Sequence, residues 1–127
     1  MNAPMAAKIL LIEDDEQLTE LLMTRLRAAG YDVCAAPDAM LGLQAAHSQQ
    51  PDLILLDLKV PAGGGLSVLQ NLRNSINTRQ IPVIVMTGTA DKEKKTELHK
   101  LGIRTYIQKP FKPEELLEAV AKTLPAS

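Results

Sequence analysis

The sequence predicts an α/β fold, a doubly wound parallel sheet of five strands flanked by five helices, and three observations carry that prediction. Short unbroken apolar runs, Ile9-Leu10-Leu11-Ile12 and Leu53-Ile54-Leu55-Leu56 among them, read as strands buried on both faces. Between them lie longer stretches whose apolar residues recur with helical period. The two kinds of segment alternate along the chain, and such alternation builds a parallel sheet.

Each element has its own reason. After the first strand, Leu18, Leu21, Leu22, Leu26 and Ala29 share one helical stripe, and Gly30 supplies a C-terminal stop. Residues 31–36 form a second strand. Pro37-Asp38 then caps a helix carrying Met40, Leu43 and Ala46, which Pro51 ends. Past the third strand, residues 59–65 read as a loop by their Pro and Gly content, and Leu66, Leu69 and Leu72 mark the next helix. Residues 82–86 form a fourth strand. Residues 91–101 form a highly charged helix anchored by Leu98 and Leu101 and stopped by Gly102. Residues 104–108 are a less apolar strand, expected at a sheet edge. Pro113 opens the last helix, Glu114 and Glu115 complement its dipole, and Leu116, Leu117, Val120 and Leu124 form its stripe.

A chain of 127 residues suits one domain with a real core. The net charge of −1 offers no bulk attraction to nucleic acid. One cysteine, Cys34, excludes a disulfide framework and reads as a buried structural thiol in a reducing compartment. The first apolar run ends in four acids, unlike a signal peptide or a membrane span. The expectation is a soluble, cytoplasmic protein with no membrane partner.

In an open parallel sheet the C-terminal strand ends gather at one edge, where ligands bind. At those ends stand Glu13-Asp14-Asp15-Glu16, Asp57, Thr87 and Lys109. With strand order 2-1-3-4-5, the strands ending at Glu13-Asp14 and at Asp57 are neighbours. Clustered carboxylates repel and raise one another's pKa unless a cation intervenes, and a hard divalent ion such as Mg²⁺ suits oxygen donors. A hydroxyl and an ammonium beside it suit a transferable phosphoryl group. Taken alone, the acidic run reads as a cap for the first helix. With the other three strand ends it reads as a site, Asp15 remaining an adjunct or helix cap.

Four segments together resemble the receiver domain of two-component response regulators: Ile9-Leu10-Leu11-Ile12-Glu13-Asp14-Asp15, Asp57-Leu58-Lys59-Val60-Pro61 followed by Gly65, Val85-Met86-Thr87-Gly88, and Lys109-Pro110-Phe111. The resemblance runs from about Lys8 to Leu124. It implies a single receiver domain over residues 1–127 with a flavodoxin-like (βα)5 fold. Asp57 would accept a phosphoryl group from a partner's phosphohistidine. Asp14, Asp57 and the backbone carbonyl of Lys59 would hold Mg²⁺, with Glu13 reaching it through water. Lys109 and Thr87 would bind phosphoryl oxygens, and the small Gly88 would leave room for them. Tyr106 resembles the family's switch aromatic, and a cis peptide is expected between Lys109 and Pro110.

The resemblance also implies a phosphorylation-regulated switch instead of a metabolic enzyme. Its donor would be a sensor histidine kinase or phosphotransfer protein, since His47 and His99 lie on helices away from the strand ends. Its output would pass to an attached domain or a target protein through the face of helix 4, strand 5 and helix 5. It would act as a monomer or as a phosphorylation-dependent dimer, without binding nucleic acid directly. Two departures stand out: the loop triplet Gly63-Gly64-Gly65, and Lys59 two residues after the phosphoacceptor.

Other chemistries fit less well. An aspartate-nucleophile hydrolase of the haloacid dehalogenase type needs a second Asp where Lys59 stands. A flavodoxin-like electron carrier needs a Ser/Thr/Gly-rich phosphate loop where the four acids lie. A nucleotide-binding Gly-Lys-Ser/Thr loop is absent from the sequence.

Overall fold

The computed structural model describes residues 6–88 and 94–124. Five parallel strands, β1 (Lys8–Ile12), β2 (Asp32–Ala36), β3 (Leu53–Asp57), β4 (Val83–Thr87) and β5 (Thr105–Gln108), form one sheet in the order β2-β1-β3-β4-β5. Five helices alternate with them: α1 (Glu16–Ala28), α2 (Ala39–Gln49), α3 (Gly64–Asn74), α4 (Lys95–Lys100) and α5 (Pro113–Thr123). Ile9 to Ile12 and Leu53 to Leu56 are wholly buried, as strands covered on both faces must be. Alternate residues enter separate cores. Leu10, Ile12, Ile54, Leu56 and Val85 pack with α2, α3 and α4, while Ile9, Leu11, Leu55, Ile84 and Met86 pack with α1 and α5.

The helix ends follow the local chemistry. Asp15 and Asp38 cap α1 and α2, accepting hydrogen bonds from the Leu18 and Leu41 amides at 3.1 and 2.8 Å. Gly30 and Gly102 take positive φ angles of 99° and 83° just beyond α1 and α4. Pro113 opens α5 as expected.

Five expectations need correction or bounding. In α2 the inward face is Ala39, Gly42 and Ala46, whereas Met40 is 70% exposed. The helix lies so close to β1 that a Cβ on Gly42 would fall 2.7 Å from Ile12 Cδ1, so small residues win the contact over larger ones. Leu21 and Ala29 lie on the outer edge of α1, leaving Leu22 and Leu26 as its buried residues. Cys34 is half-buried because β2 is an edge strand, and burial still raises its thiol pKa. The third helix starts inside the glycine triplet, at Gly64. Residues 91–93 of the expected fourth helix lie outside the described residues, and α4 is seen over Lys95–Lys100.

Candidate functional site

Parallel pairing of β1 with β3 sets Ile12 beside Leu56, so the residues that follow, Glu13 and Asp57, emerge side by side at the sheet's C-terminal edge. Glu13, Asp14 and Asp57 each offer a carboxylate oxygen within 4.8 Å of the others. Glu13 and Asp57 are buried and Asp14 is exposed. From β5, across the sheet, Lys109 brings its Nζ to 2.5 Å from Glu13 Oε1 and 3.3 Å from Asp57 Oδ2. The Lys109-Pro110 peptide is cis, as expected.

Every carboxylate oxygen at the core of this cluster has work within it. Glu13 Oε2 accepts the Asp14 and Asp15 amides at 3.0 and 3.3 Å, and Asp57 Oδ1 accepts the Lys59 amide at 3.0 Å. The backbone turn after Asp57 is therefore tied to its carboxylate, while the Lys59 side chain lies exposed. A Cβ on Gly65 would sit 2.6 Å from Leu58 Cα and 2.7 Å from Asp57 O, so this turn needs glycine at that point.

Burial pushes the Glu13 carboxyl up to about 7; Lys109 pulls it down through its hydrogen bond, and Asp57 adds to the rise. Burial would lower Lys109, but its contacts with Glu13 and Asp57 outweigh that and raise it. One ammonium thus serves two buried carboxylates, with a third alongside. With Glu13, Asp14, Asp57 and Lys109 all ionised the net is minus two, which a single divalent cation would balance. An oxygen-only donor set also fits a hard cation of the Mg²⁺ type.

The remaining expected residues occupy the same edge in different ways. Thr87 ends β4 one position beyond Met86, the register partner of Asp57, and its carbonyl accepts the Lys109 amide at 2.7 Å. Gly88 follows it, half-buried. Tyr106 lies back along β5 beside Val85, its ring stacked 6.0 Å from that of His99 with Lys95 Nζ 6.0 Å from its centroid. This stack was missed by sequence reading. Lys95 and His99 are four residues apart on one helix face, but their meeting with Tyr106 depends on how α4 packs against β5.

The response regulator receiver domain family matches residues 9–121, and the chain belongs to that family, the receiver modules of two-component signalling. The DNA-binding dual master transcriptional regulator RpaA of Synechocystis sp. is 39% identical over 117 residues, covering 92% of this chain and 48% of its own length. The phosphate regulon transcriptional regulatory protein PhoB of Escherichia coli is 33% identical over 116 residues, or 91% and 51%. The chain spans about half the length of these curated relatives. Among solved structures, the chemotaxis response regulator CheY4 of Vibrio cholerae superposes with a TM-score of 0.88 at 28% identity, covering 94% of this chain and all of its own. The receiver domain of sensor histidine kinase PA1611 from Pseudomonas aeruginosa PAO1 does so with a TM-score of 0.83 at 30% identity, covering 93% and 97%. That structure is described with a magnesium ion coordinated in its active site cleft. No helix among the described residues here is long and apolar enough to cross a membrane.

Proposed function

We propose that this chain is a single receiver unit that accepts a phosphoryl group on Asp57 from a phosphohistidine of a sensor kinase or phosphotransfer protein. The observation that carries this reading is the convergence of Glu13, Asp14 and Asp57 within 4.8 Å with the Lys109 ammonium between two of them. A carboxylate oxygen of Asp57 attacks phosphorus, the P–N bond breaks, and the imidazole nitrogen leaves with the electron pair. Asp14, Asp57 and the Lys59 carbonyl would hold Mg²⁺, with Glu13 reaching it through water. Mg²⁺, when bound, neutralises negative charge on the phosphoryl oxygens. Lys109 contributes a point charge to the same oxygens, and the Thr87 hydroxyl donates to one of them.

The consequence is a shift between two states of the face formed by α4, β5 and α5, read by an output domain or target protein in the cytoplasm. The reaction is self-phosphorylation of a switch, not turnover of a metabolite. Acetyl phosphate with Mg²⁺ should add one phosphate to the wild type, detected by intact mass, and none to Asp57→Asn. Equal incorporation in the variant would remove Asp57 from the role.

A further inference from the structure

We propose that Arg73 is a positioning residue that clamps the C-terminal end of α4, so that the helix pivots about Leu101 and delivers its motion at the Lys95 end. Arg73 lies in the last turn of α3, and its guanidinium reaches three backbone carbonyls. Nε donates to Leu101 O at 2.8 Å, and one terminal nitrogen donates to Arg79 O at 3.0 Å and Ile81 O at 2.8 Å. One planar group thus ties α3, the connection into β4, and the end of α4. Its fixed fork suits several acceptors at once, as a lysine would not.

The mount beneath it is firm. Leu69 and Leu72 of α3 are fully buried, and the Thr78 hydroxyl donates to Leu72 O at 2.8 Å. The clamped end is also closed on its own account. Gly102 N bonds His99 O and Ile103 N bonds Leu98 O, both at 3.0 Å, while Leu98 and Ile103 are wholly buried. A cation beside the last carbonyls of α4 adds a favourable dipole contact. At the other end Lys95, Thr96 and Glu97 are exposed, and Lys95 Nζ stands 6.0 Å from the Tyr106 ring centroid, a contact that motion of this end would change. A short rod held at one end by a clamp and a buried pair moves at the other.

The trigger in this inference rests on the reading of Asp57 as phosphoacceptor, whereas the clamp does not. Two NMR measurements on the whole chain separate them. In the free protein, Arg73→Met should lower hydrogen-exchange protection at Leu101, Gly102 and Ile103 roughly tenfold, leaving β3 unchanged. Unchanged protection at those amides would overturn the clamp. With beryllofluoride and Mg²⁺, the wild type should show large amide shifts at residues 95–99 and retained protection at 101–103. In Arg73→Met the shifts at 95–99 should shrink at least about twofold while those at 13–15 and 57–59 stay, a loss of coupling that lowered stability alone would not produce. Full shifts at 95–99 in the variant, or lost protection at 101–103 in the wild type, would overturn the pivot. Arg73→Lys, expected to be intermediate, carries the same comparison if the methionine variant does not fold. An absence of shifts at 57–59 in the wild type would count against the phosphoacceptor reading alone, with the exchange comparison still deciding the clamp.

Discussion

Lys109 sits closer to Glu13 than to Asp57, at 2.5 against 3.3 Å, so the ammonium of β5's end is shared unequally between two buried carboxylates. The more buried acid has the nearer cation, which follows from desolvation: a charge with less water needs its partner more. Burial outweighs what the shared cation returns, and that residual strain appears as a Glu13 carboxyl raised to about 7.

That strain sets a pH dependence. Glu13 rises from an ordinary 4.5 to about 7, so the metal-free fold holds a proton there that the unfolded chain gives up. Its contribution to stability is therefore complete below about pH 4.5 and is lost as pH climbs through 7, by at most about 1.4 kcal/mol per pH unit. Mg²⁺ and the proton compete for the same carboxylates. Apparent Mg²⁺ affinity should fall as pH drops from 8 to 6, approaching a tenfold loss per unit below 7 if one proton is displaced. Calorimetric titration at several pH values checks this, and a flat profile would show that Glu13 is ionised throughout.

The glycines beside the site separate two kinds of close packing. Gly65→Ala would drive a methyl against Leu58 Cα and Asp57 O, backbone atoms that cannot turn aside. We expect a loss of about 1–3 kcal/mol and slower phosphorylation, because relief must come from moving the turn that presents Asp57. Gly42→Ala meets the Ile12 side chain first, and the helix interior favours alanine by about 0.5–1 kcal/mol, so its cost should be smaller and phosphorylation unchanged. Equal denaturation midpoints for the two variants would contradict this ordering.

The same pair shows where the sequence was legible and where it was not. Strand positions, caps and the strand-end residues follow from local rules: unbroken apolar runs, Asp15 and Asp38 at helix starts, Gly30 and Gly102 at helix ends. The inward face of α2 did not, because Ala39, Gly42 and Ala46 are as periodic as Met40 and Leu43, and only the tight approach to Ile12 decides between them. The carboxylates could be placed at one edge by topology alone. The sharing of Lys109 between Glu13 and Asp57 required side-chain distances. Arg73 gave no signal, since its partners are carbonyls, which every residue carries.

Lys59 should lengthen the life of the phosphorylated form. Its amide holds Asp57 Oδ1 at 3.0 Å, so its backbone is fixed beside the acceptor while its side chain is exposed. An ammonium there can pair with phosphoryl oxygens and obstruct the path of an attacking water. Phosphate loss timed in excess Mg²⁺ should be faster in Lys59→Ala than in the wild type. Equal rates, or a slower variant, would remove the idea.

Thr87 should be the link between Asp57 and Tyr106. Thr87 lies two residues beyond Val85, and Tyr106 is Val85's register partner, so period-two alternation turns Thr87 and Tyr106 to the same face of the sheet. Tyr106 is now half-buried, its hydroxyl donating to Ile103 O at 3.4 Å and its ring against His99. Drawing Thr87 toward a phosphoryl group would open space on that face, and an inward turn of the ring would break both contacts. Beryllofluoride with Mg²⁺ should therefore shift the ring resonances of Tyr106 and His99 together in the wild type. In Thr87→Ala the shifts at 57–59 should persist while those of the two rings largely vanish. A full ring response in Thr87→Ala would mean that the signal leaves Asp57 by another route, since the hydroxyl that pulls would be gone while the ring still moved.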